Sequence, residues 1–151
     1  ENPTIEKLAA ALAAKEPSAP AGGLVPIRDG GPAAPLFLLP GAGGNVVYFH
    51  PLAHHLSGAH AIHGLEALGL DGSCMPLTRV EDIAARHIQR IWPRVGAGPY
   101  YLAGHSFGAQ VALEMSRQLV ARGADVKLLA IFDASAPIDS PAAAYWQDWD
   151  D

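Results

Sequence analysis

The chain has 151 residues, of which 50% are apolar and 17% are charged, and its formal net charge is −5 at pH 7. A chain of this length and composition can bury one hydrophobic core, which excludes a disordered protein. Ten basic residues without a basic run argue against nucleic acid and anionic membranes as partners. The single cysteine, Cys74, excludes an internal disulfide and a cysteine-based metal site. Without a basic signal-peptide region or an apolar run of about 20 residues, the sequence predicts a cytoplasmic protein with no membrane partner.

The first 23 residues are predicted to form a helix and a linker outside the main domain. Apolar residues recur at helical spacing over residues 4–14, and Thr4 is a suitable N-cap. A helix this short is not stable alone, so we expect residues 1–16 to be the end of a preceding domain. Residues 17–23 are rich in proline, alanine and glycine, which is typical of a linker.

Five strands are predicted in the rest of the chain. Each is an apolar run bounded by turn residues, and they cover residues 24–28, 35–39, 61–65, 100–103 and 126–132. Pro26 cannot donate a hydrogen bond to a neighbouring strand, so the first strand should lie at a sheet edge.

Helices are predicted between these strands. Helical periodicity covers residues 46–56 and 78–95, and Thr78 and Glu81 form a capping-box pattern at the start of the second helix. A third helix is predicted after Ser106. The alternation of strands and helices predicts an α/β fold with a mostly parallel sheet and right-handed crossovers.

The segment Tyr100–Met115 combines a strand, a glycine-rich turn and a helix, with Ser106 at the apex of the G-x-S-x-G pattern. This arrangement is typical of a nucleophile elbow, in which a strained backbone exposes the serine hydroxyl above the sheet. Gly104 and Gly108 are expected where side chains would collide. His105 is expected to lie beneath the turn. Ser106 is therefore the candidate nucleophile, and the alternative is a glycine-rich connection with an incidental serine.

A carboxylate follows the next predicted strand. Asp133 comes directly after residues 126–132, at the sheet edge where ligands bind in parallel α/β sheets. A carboxylate there could hold a histidine in the tautomer that deprotonates a serine. The alternative is an aspartate that caps a helix or stabilises a turn.

The loop Pro40–Gly44 follows the second predicted strand and reaches the same edge. One of its amides can join the Phe107 amide to form an oxyanion hole, which stabilises the negative charge of a tetrahedral intermediate. We expect the loop amide to be that of Ala42, with Gly41 as the alternative. The alternative is that the loop is a plain glycine turn with no part in catalysis.

The catalytic base is not found by this reasoning. In the fold that carries such an elbow, the histidine follows the acid in the chain, whereas all seven histidines precede Asp133. We therefore expect the base to lie outside these 151 residues. His50 and His54 have helical i, i+4 spacing without a third ligand, so no metal site is predicted.

Residues 35–137 resemble the thioesterase domains that end non-ribosomal peptide synthetases and modular polyketide synthases. The stretches that carry the resemblance are LFLLPGAGG, GPYYLAGHSFGAQVALEMSRQL and LLAIFDASAP. The resemblance implies an α/β-hydrolase core over residues 24–137, with helices on both faces of the sheet. It also implies that Ser106 is the nucleophile and Asp133 the acid of a triad.

The ends of the chain resemble the segments that flank such a domain. Residues 1–16 are similar to the last helix of a carrier protein, and residues 138–151 to the beginning of a helical lid. The family's histidine follows the lid, so we expect a fragment that stops within the domain. Asp139 is the second candidate for the triad acid, ranked behind Asp133 because lids move and a triad acid needs a rigid support.

The resemblance implies release of an acyl, peptidyl or polyketide chain from the phosphopantetheine thioester of a carrier protein. The chain would pass through an acyl-Ser106 intermediate and leave by hydrolysis or macrocyclisation. The partners would be the carrier protein and the rest of the synthase, and the domain itself would bind no cofactor. The alternatives are a stand-alone editing thioesterase or small-molecule serine esterase of the same fold, and a non-catalytic binding module.

Overall fold

The computed structural model describes residues 4–14, 23–70, 72 and 74–134. Residues 17–22 of the predicted linker and the predicted lid over residues 138–151, which contains Asp139, lie outside the described residues. In chain order the elements are α1 (Ile5–Ala14), β1 (Leu24–Arg28), β2 (Ala33–Leu39), a 3₁₀ helix (Val47–Phe49), α2 (His50–His55), β3 (His60–Leu65), α3 (Val80–Val95), β4 (Tyr100–His105), α4 (Phe107–Ala121) and β5 (Val126–Phe132).

The five strands form one mostly parallel sheet with the order β1-β3-β2-β4-β5. β2 pairs in parallel with β3 and β4, and β4 pairs in parallel with β5, so Phe37, Leu102 and Leu129 lie side by side. β1 is antiparallel to β3 and lies at the sheet edge, as the proline at position 26 predicts. The predicted mostly parallel α/β arrangement is confirmed.

Both faces of the sheet carry helices, because successive residues of the central strands point to opposite sides. Phe37 and Leu39 pack in the core beneath α3 and α4. Leu38 faces the other way, into a smaller core that includes Phe49 of the 3₁₀ helix and Ala53 of α2. Burial on both faces explains why these strands are continuous apolar runs in the sequence.

Two helix starts differ from the sequence-based expectation. α3 begins at Val80 with Arg79 as its N-cap, and no side chain caps the helix. The predicted capping box of Thr78 and Glu81 is therefore wrong, because the helix starts where Val80 first packs against the core beneath α3.

The helix predicted over residues 46–56 is shorter and irregular. It begins as a 3₁₀ turn and becomes α-helical only at His50, with Pro51 in its first turn. Val46 is buried in the core and its side chain lies against Gly64 of β3. This packing fixes the chain before the helix, and proline then favours the first helical turn.

At the N-terminal end of the chain, the Thr4 hydroxyl accepts a hydrogen bond from the Lys7 N–H at 3.2 Å, so the predicted cap of α1 is confirmed.

Candidate active site

Ser106 occupies a sharp turn between β4 and α4, at the carboxyl edge of the sheet. Its backbone has φ 53° and ψ −122°, a conformation that residues with a side chain rarely adopt. The Ser106 N–H donates to the carbonyl oxygen of Phe132 at 2.9 Å, which fixes the turn to the end of β5. The strained strand-to-helix turn expected from the sequence is therefore present at this serine.

Backbone packing explains the two glycines of the turn. A Cβ atom on Gly104 would overlap the carbonyl oxygen of Gly108, and a Cβ on Gly108 would overlap the carbonyl oxygens of Leu39 and Pro40. These neighbours are main-chain atoms, so they cannot move aside as a flexible side chain could. The turn is thus packed directly against the end of β2, which brings the loop after β2 to the same edge as Ser106.

The loop after β2 lies beside the serine. A Cβ on Gly41 would be 3.4 Å from the Ser106 Cβ, so the two residues are neighbours. The Gly41 N–H donates to the Tyr48 hydroxyl at 2.8 Å. Within the described residues, the Ala42 N–H forms no hydrogen bond. Phe107 is the first residue of α4, so its N–H has no acceptor inside the helix.

Tyr48, His105 and Asp133 form a row along this edge. The Tyr48 hydroxyl lies 3.1 Å from His105 Nδ1, and His105 Nε2 lies 3.9 Å from an Asp133 carboxylate oxygen. The His105 side chain is 36% exposed, so the expectation that it lies beneath the turn is wrong. It belongs to the sheet face that carries Ala103, and on that face Tyr48 stands beside it.

Asp133 immediately follows β5, with a positive φ of 48°. The β4–β5 register places Phe132 opposite His105, so Asp133 comes to the same edge as Ser106. Its side chain is 93% exposed. The structure thus brings the predicted acid, the predicted nucleophile and the predicted amides together at one edge of the sheet.

None of the histidines donates to or accepts from Ser106 in the described part of the chain. His50, His54 and His55 are exposed on α2, and His60 Nδ1 donates to the Ala34 carbonyl oxygen at 2.6 Å.

Two histidines have a lowered pKa. Burial is the larger cause for both. The neighbouring Arg94 adds to the lowering of the His63 pKa, while Asp29 partly opposes it. Burial, with a smaller contribution from Arg90, lowers the pKa of His87 to about 4. Both imidazoles are therefore neutral at pH 7.

Neither a metal cluster nor a membrane-spanning helix is found in the part of the chain that the structure describes. Within that part, no group of three or more histidine, cysteine, aspartate or glutamate side chains is close enough to hold a metal ion. No helix among these residues is long and apolar enough to cross a membrane.

The chain is similar to known proteins in both sequence and structure. Residues 34–151 match the family model described as "Thioesterase domain". Chondramide synthase from Chondromyces crocatus is 36% identical over 141 residues, which cover 89% of this chain and 4% of the synthase. A four-domain nonribosomal peptide synthetase bound to AMP and glycine aligns with a TM-score of 0.78 and 28% identity, covering 90% of this chain and 10% of that one.

Isolated thioesterases also align with the structure. The NocB thioesterase domain, in covalent complex with a fluorophosphonate nocardicin G analogue, gives a TM-score of 0.64 and 29% identity over 76% of this chain. The type II thioesterase YbtT of the yersiniabactin pathway gives a TM-score of 0.67 and 30% identity over 76% of this chain. The chain spans 51% of the NocB domain, 48% of YbtT and a small part of the synthases. Together, the family match, the sheet topology and these alignments show that the protein belongs to the thioesterase domain family of serine hydrolases and has the α/β-hydrolase fold.

Proposed function

We propose that this protein releases an acyl, peptidyl or polyketide chain from the phosphopantetheine thioester of a carrier protein, through an acyl-Ser106 intermediate. The observation that carries the proposal is the strained turn at Ser106, which presents a serine at the carboxyl edge of the sheet in a chain of the thioesterase domain family. A serine in that backbone conformation has no structural advantage, because glycine would adopt it with less strain.

In the proposed first step, the Ser106 oxygen attacks the thioester carbonyl and its proton passes to a base. The resulting oxyanion is held by the N–H groups of Ala42 and Phe107. Two features support this pair of donors. The Gly41 N–H already donates to the Tyr48 hydroxyl. Within the described residues, the N–H groups of Ala42 and Phe107 have no acceptor in the protein, so both are free to bind the oxyanion.

The tetrahedral intermediate then collapses. The carbon–sulfur bond breaks, the phosphopantetheine sulfur leaves as a thiol after taking the proton, and an ester to Ser106 remains. In the second step water attacks the ester and gives a free acid, or a hydroxyl or amine of the chain attacks it and gives a ring. The serine recovers its proton in either case.

Asp133 is the proposed acid of the triad. A triad acid orients a histidine and stabilises its protonated form. The position of Asp133 directly after β5, beside the strand that carries the serine, supports this role. The absence of the catalytic histidine from residues 1–151 stays a prediction, as does the cytoplasmic location.

Release from a synthase is favoured over editing by a stand-alone enzyme. Residues 34–151 make up about 78% of the chain, so a match over 89–90% must include residues before position 34. The isolated thioesterases align over only 76%. The matches to chondramide synthase and to the four-domain synthetase therefore extend further towards α1, which supports the proposal that residues 1–16 end a carrier protein and that the carrier is the partner.

The test is covalent labelling of the full-length protein with a fluorophosphonate, read by mass spectrometry. We expect one adduct, on Ser106, and no adduct in Ser106→Ala. Ser116→Ala, which changes a serine on α4 away from the turn, is the matched control and should label as the unmodified protein does. An adduct that persists in Ser106→Ala, or that maps to Ser116 or Ser135, would remove Ser106 from the proposal.

A further inference from the structure

A pocket of about 190 Å³ opens between the loop after β2, the start of α4 and α3. Its wall includes both proposed oxyanion donors, Ala42 and Phe107, and reaches Ile83 and His87 on α3. We call it the His87 pocket. Phe107 directly follows Ser106 in the chain, so the pocket is placed to receive part of an acyl chain attached to that serine.

The size of the His87 pocket limits what it can hold. A buried apolar cavity of about 150 Å³ is large enough to bind benzene. At about 190 Å³ the His87 pocket is therefore large enough for a single six-membered ring or a branched aliphatic group. Most of its wall is apolar, including Leu39, Leu65 and Val111, so burial of an apolar group is favourable.

His87 is the exception in this wall. Its side chain is 2% exposed, and its Nδ1 atom has no hydrogen-bond partner within the residues that the structure describes. Buried polar atoms nearly always have a partner. The Nδ1 atom itself has almost no exposed surface, so a ligand in the pocket that the residue lines reaches this atom when the imidazole ring turns. Because its pKa is lowered to about 4, the imidazole is neutral at pH 7 and can either donate or accept at this atom.

We propose that the His87 pocket is a subsite for a side group of the acyl chain, and that His87 hydrogen-bonds to a hydroxyl on that group. This inference rests on the proposed function, because it assumes an acyl chain on Ser106. A hydroxyl suits either tautomer of a neutral imidazole, whereas a cationic group would be buried near the positive charge of Arg90. The apolar wall supplies affinity, and the single polar contact supplies orientation and specificity.

Selectivity for a hydroxyl should be large. A site built to hydrogen-bond a substrate hydroxyl discriminates strongly against the analogue that lacks it, because its own polar group is then left unpaired. A purely apolar pocket discriminates weakly between the same two compounds. The two cases are thus separated by comparing a ligand with its isostere.

The first experiment measures binding of phenol and of toluene to the full-length protein by NMR, with the imidazole nitrogens of the histidines observed directly. We expect phenol to bind at least tenfold more tightly than toluene and to shift the His87 signals. His87→Leu should weaken phenol binding at least tenfold and leave toluene binding unchanged or tighter. His87→Gln, which keeps a hydrogen-bonding group, should retain part of the preference.

His63→Leu is the matched control. His63 also has a buried Nδ1 without a partner in the described residues, but it lies in β3 and not in the wall of the pocket. The preference for phenol should survive this change. Equal affinity for the two ligands in the unmodified protein, no binding of either, or a preference that survives His87→Leu would overturn the proposal.

A second experiment separates this inference from the proposed function. It uses the N-acetylcysteamine thioesters of 4-hydroxyphenylacetic and phenylacetic acid. We expect His87→Leu to lower kcat/KM at least tenfold for the hydroxylated thioester only. If neither thioester is cleaved but phenol still binds at His87, the hydroxyl-binding pocket stands, while its role as an acyl subsite fails together with the proposed function. If both are cleaved equally well and phenol has no advantage over toluene, the function stands and the subsite fails.

Discussion

The serine turn and the loop after β2 meet at the same edge of the sheet, but they are held in place differently. The turn is held by main-chain packing, since a Cβ on Gly104 or Gly108 would overlap backbone atoms. The loop is more open, because a Cβ on Gly43 would meet only the Asn45 side-chain nitrogen, at 3.9 Å. Within the described residues, two hydrogen bonds connect the loop to the structure that follows it: the Gly41 N–H donates to the Tyr48 hydroxyl, and the Ala67 N–H donates to the Gly44 carbonyl oxygen at 2.9 Å.

This difference shows how one site can combine two degrees of constraint. A nucleophile must keep one backbone geometry through the whole reaction, and packing of main chain on main chain provides that. An oxyanion donor must adjust as the carbonyl becomes tetrahedral, and a loop held by two hydrogen bonds permits small shifts. Changes in the turn should therefore affect folding or the whole reaction, whereas changes in the loop should affect rate alone.

The largest expected effect is that of Asp133→Asn, which acts next to the turn. The amide keeps the shape of the carboxylate but favours the wrong histidine tautomer, so single-turnover acylation should fall by about 10⁴-fold. Stability should change little, because the carboxylate is exposed. Asp125→Asn, at the start of β5 where Asp125 pairs with Lys127 at 3.1 Å, is the matched control and should acylate normally.

Asp139→Asn tests the rival assignment of the acid. Near-normal acylation in Asp133→Asn, together with a collapse in Asp139→Asn, would move the acid to the later residue. The comparison requires the full-length protein with a thioester substrate.

The next largest effect is expected from a methyl group in the turn. Gly104→Ala places a Cβ against the backbone of Gly108 and Ala109, and should lower the free energy of unfolding by about 3 kcal/mol or more. Gly43→Ala is the matched control in the loop and should change it by less than about 0.5 kcal/mol. Urea unfolding of both variants measures the difference. Equal midpoints would contradict the packing account of the turn.

His87, in the wall of the pocket beside the serine turn and the loop after β2, should make the stability of the protein depend on pH. The pKa of His87 is about 4 in the folded protein and 6.5 in the unfolded chain. Between these two pH values the unfolded chain therefore binds more protons than the folded protein does. Stability therefore decreases as the pH falls from about 6.5 to about 4, by on the order of 3 kcal/mol from this group. His87→Leu should remove that part of the loss. Parallel pH curves for the two proteins, measured by urea unfolding, would contradict this.

The smallest expected effect is that of Tyr48→Phe, which removes the hydrogen bond between the Gly41 N–H and the Tyr48 hydroxyl and keeps the aromatic ring. We expect kcat to fall roughly tenfold with KM nearly unchanged, because misplacement of a donor affects the transition state more than the ground state. Tyr100→Phe is the matched control, since the Tyr100 hydroxyl donates to the Gly96 carbonyl oxygen at 2.7 Å away from the site. It should lower stability and leave kcat unchanged. A rise in KM at constant kcat in Tyr48→Phe would show that the loop binds substrate instead.

Sequence reasoning found the parts of the fold that have local causes. Continuous apolar runs identified the central strands, since burial on both faces removes polar alternation. The proline at position 26 identified the edge strand, and the glycines at 104 and 108 identified the turn. Each of these signals depends on the residue itself, so no knowledge of distant neighbours was needed.

The missed features depend on contacts between distant parts of the chain. Tyr48 and His105 are 57 residues apart, and nothing near either residue indicates that they meet. The start of α3 at Val80 is decided by tertiary packing, which outweighed the local capping pattern at Thr78. The start of α2 could have been found, because Pro51 favours a first helical turn.

The backbone of Ser106 has a consequence for anyone who selects thermostable forms of this enzyme. Its left-handed conformation costs on the order of 1–3 kcal/mol for a residue with a side chain, and glycine would relieve most of it. Ser106→Gly should therefore melt at a higher temperature than the natural protein while lacking the nucleophile. A screen that ranks variants by melting temperature alone will enrich inactive glycine forms, so such a screen needs a labelling step that counts only molecules with a reactive serine.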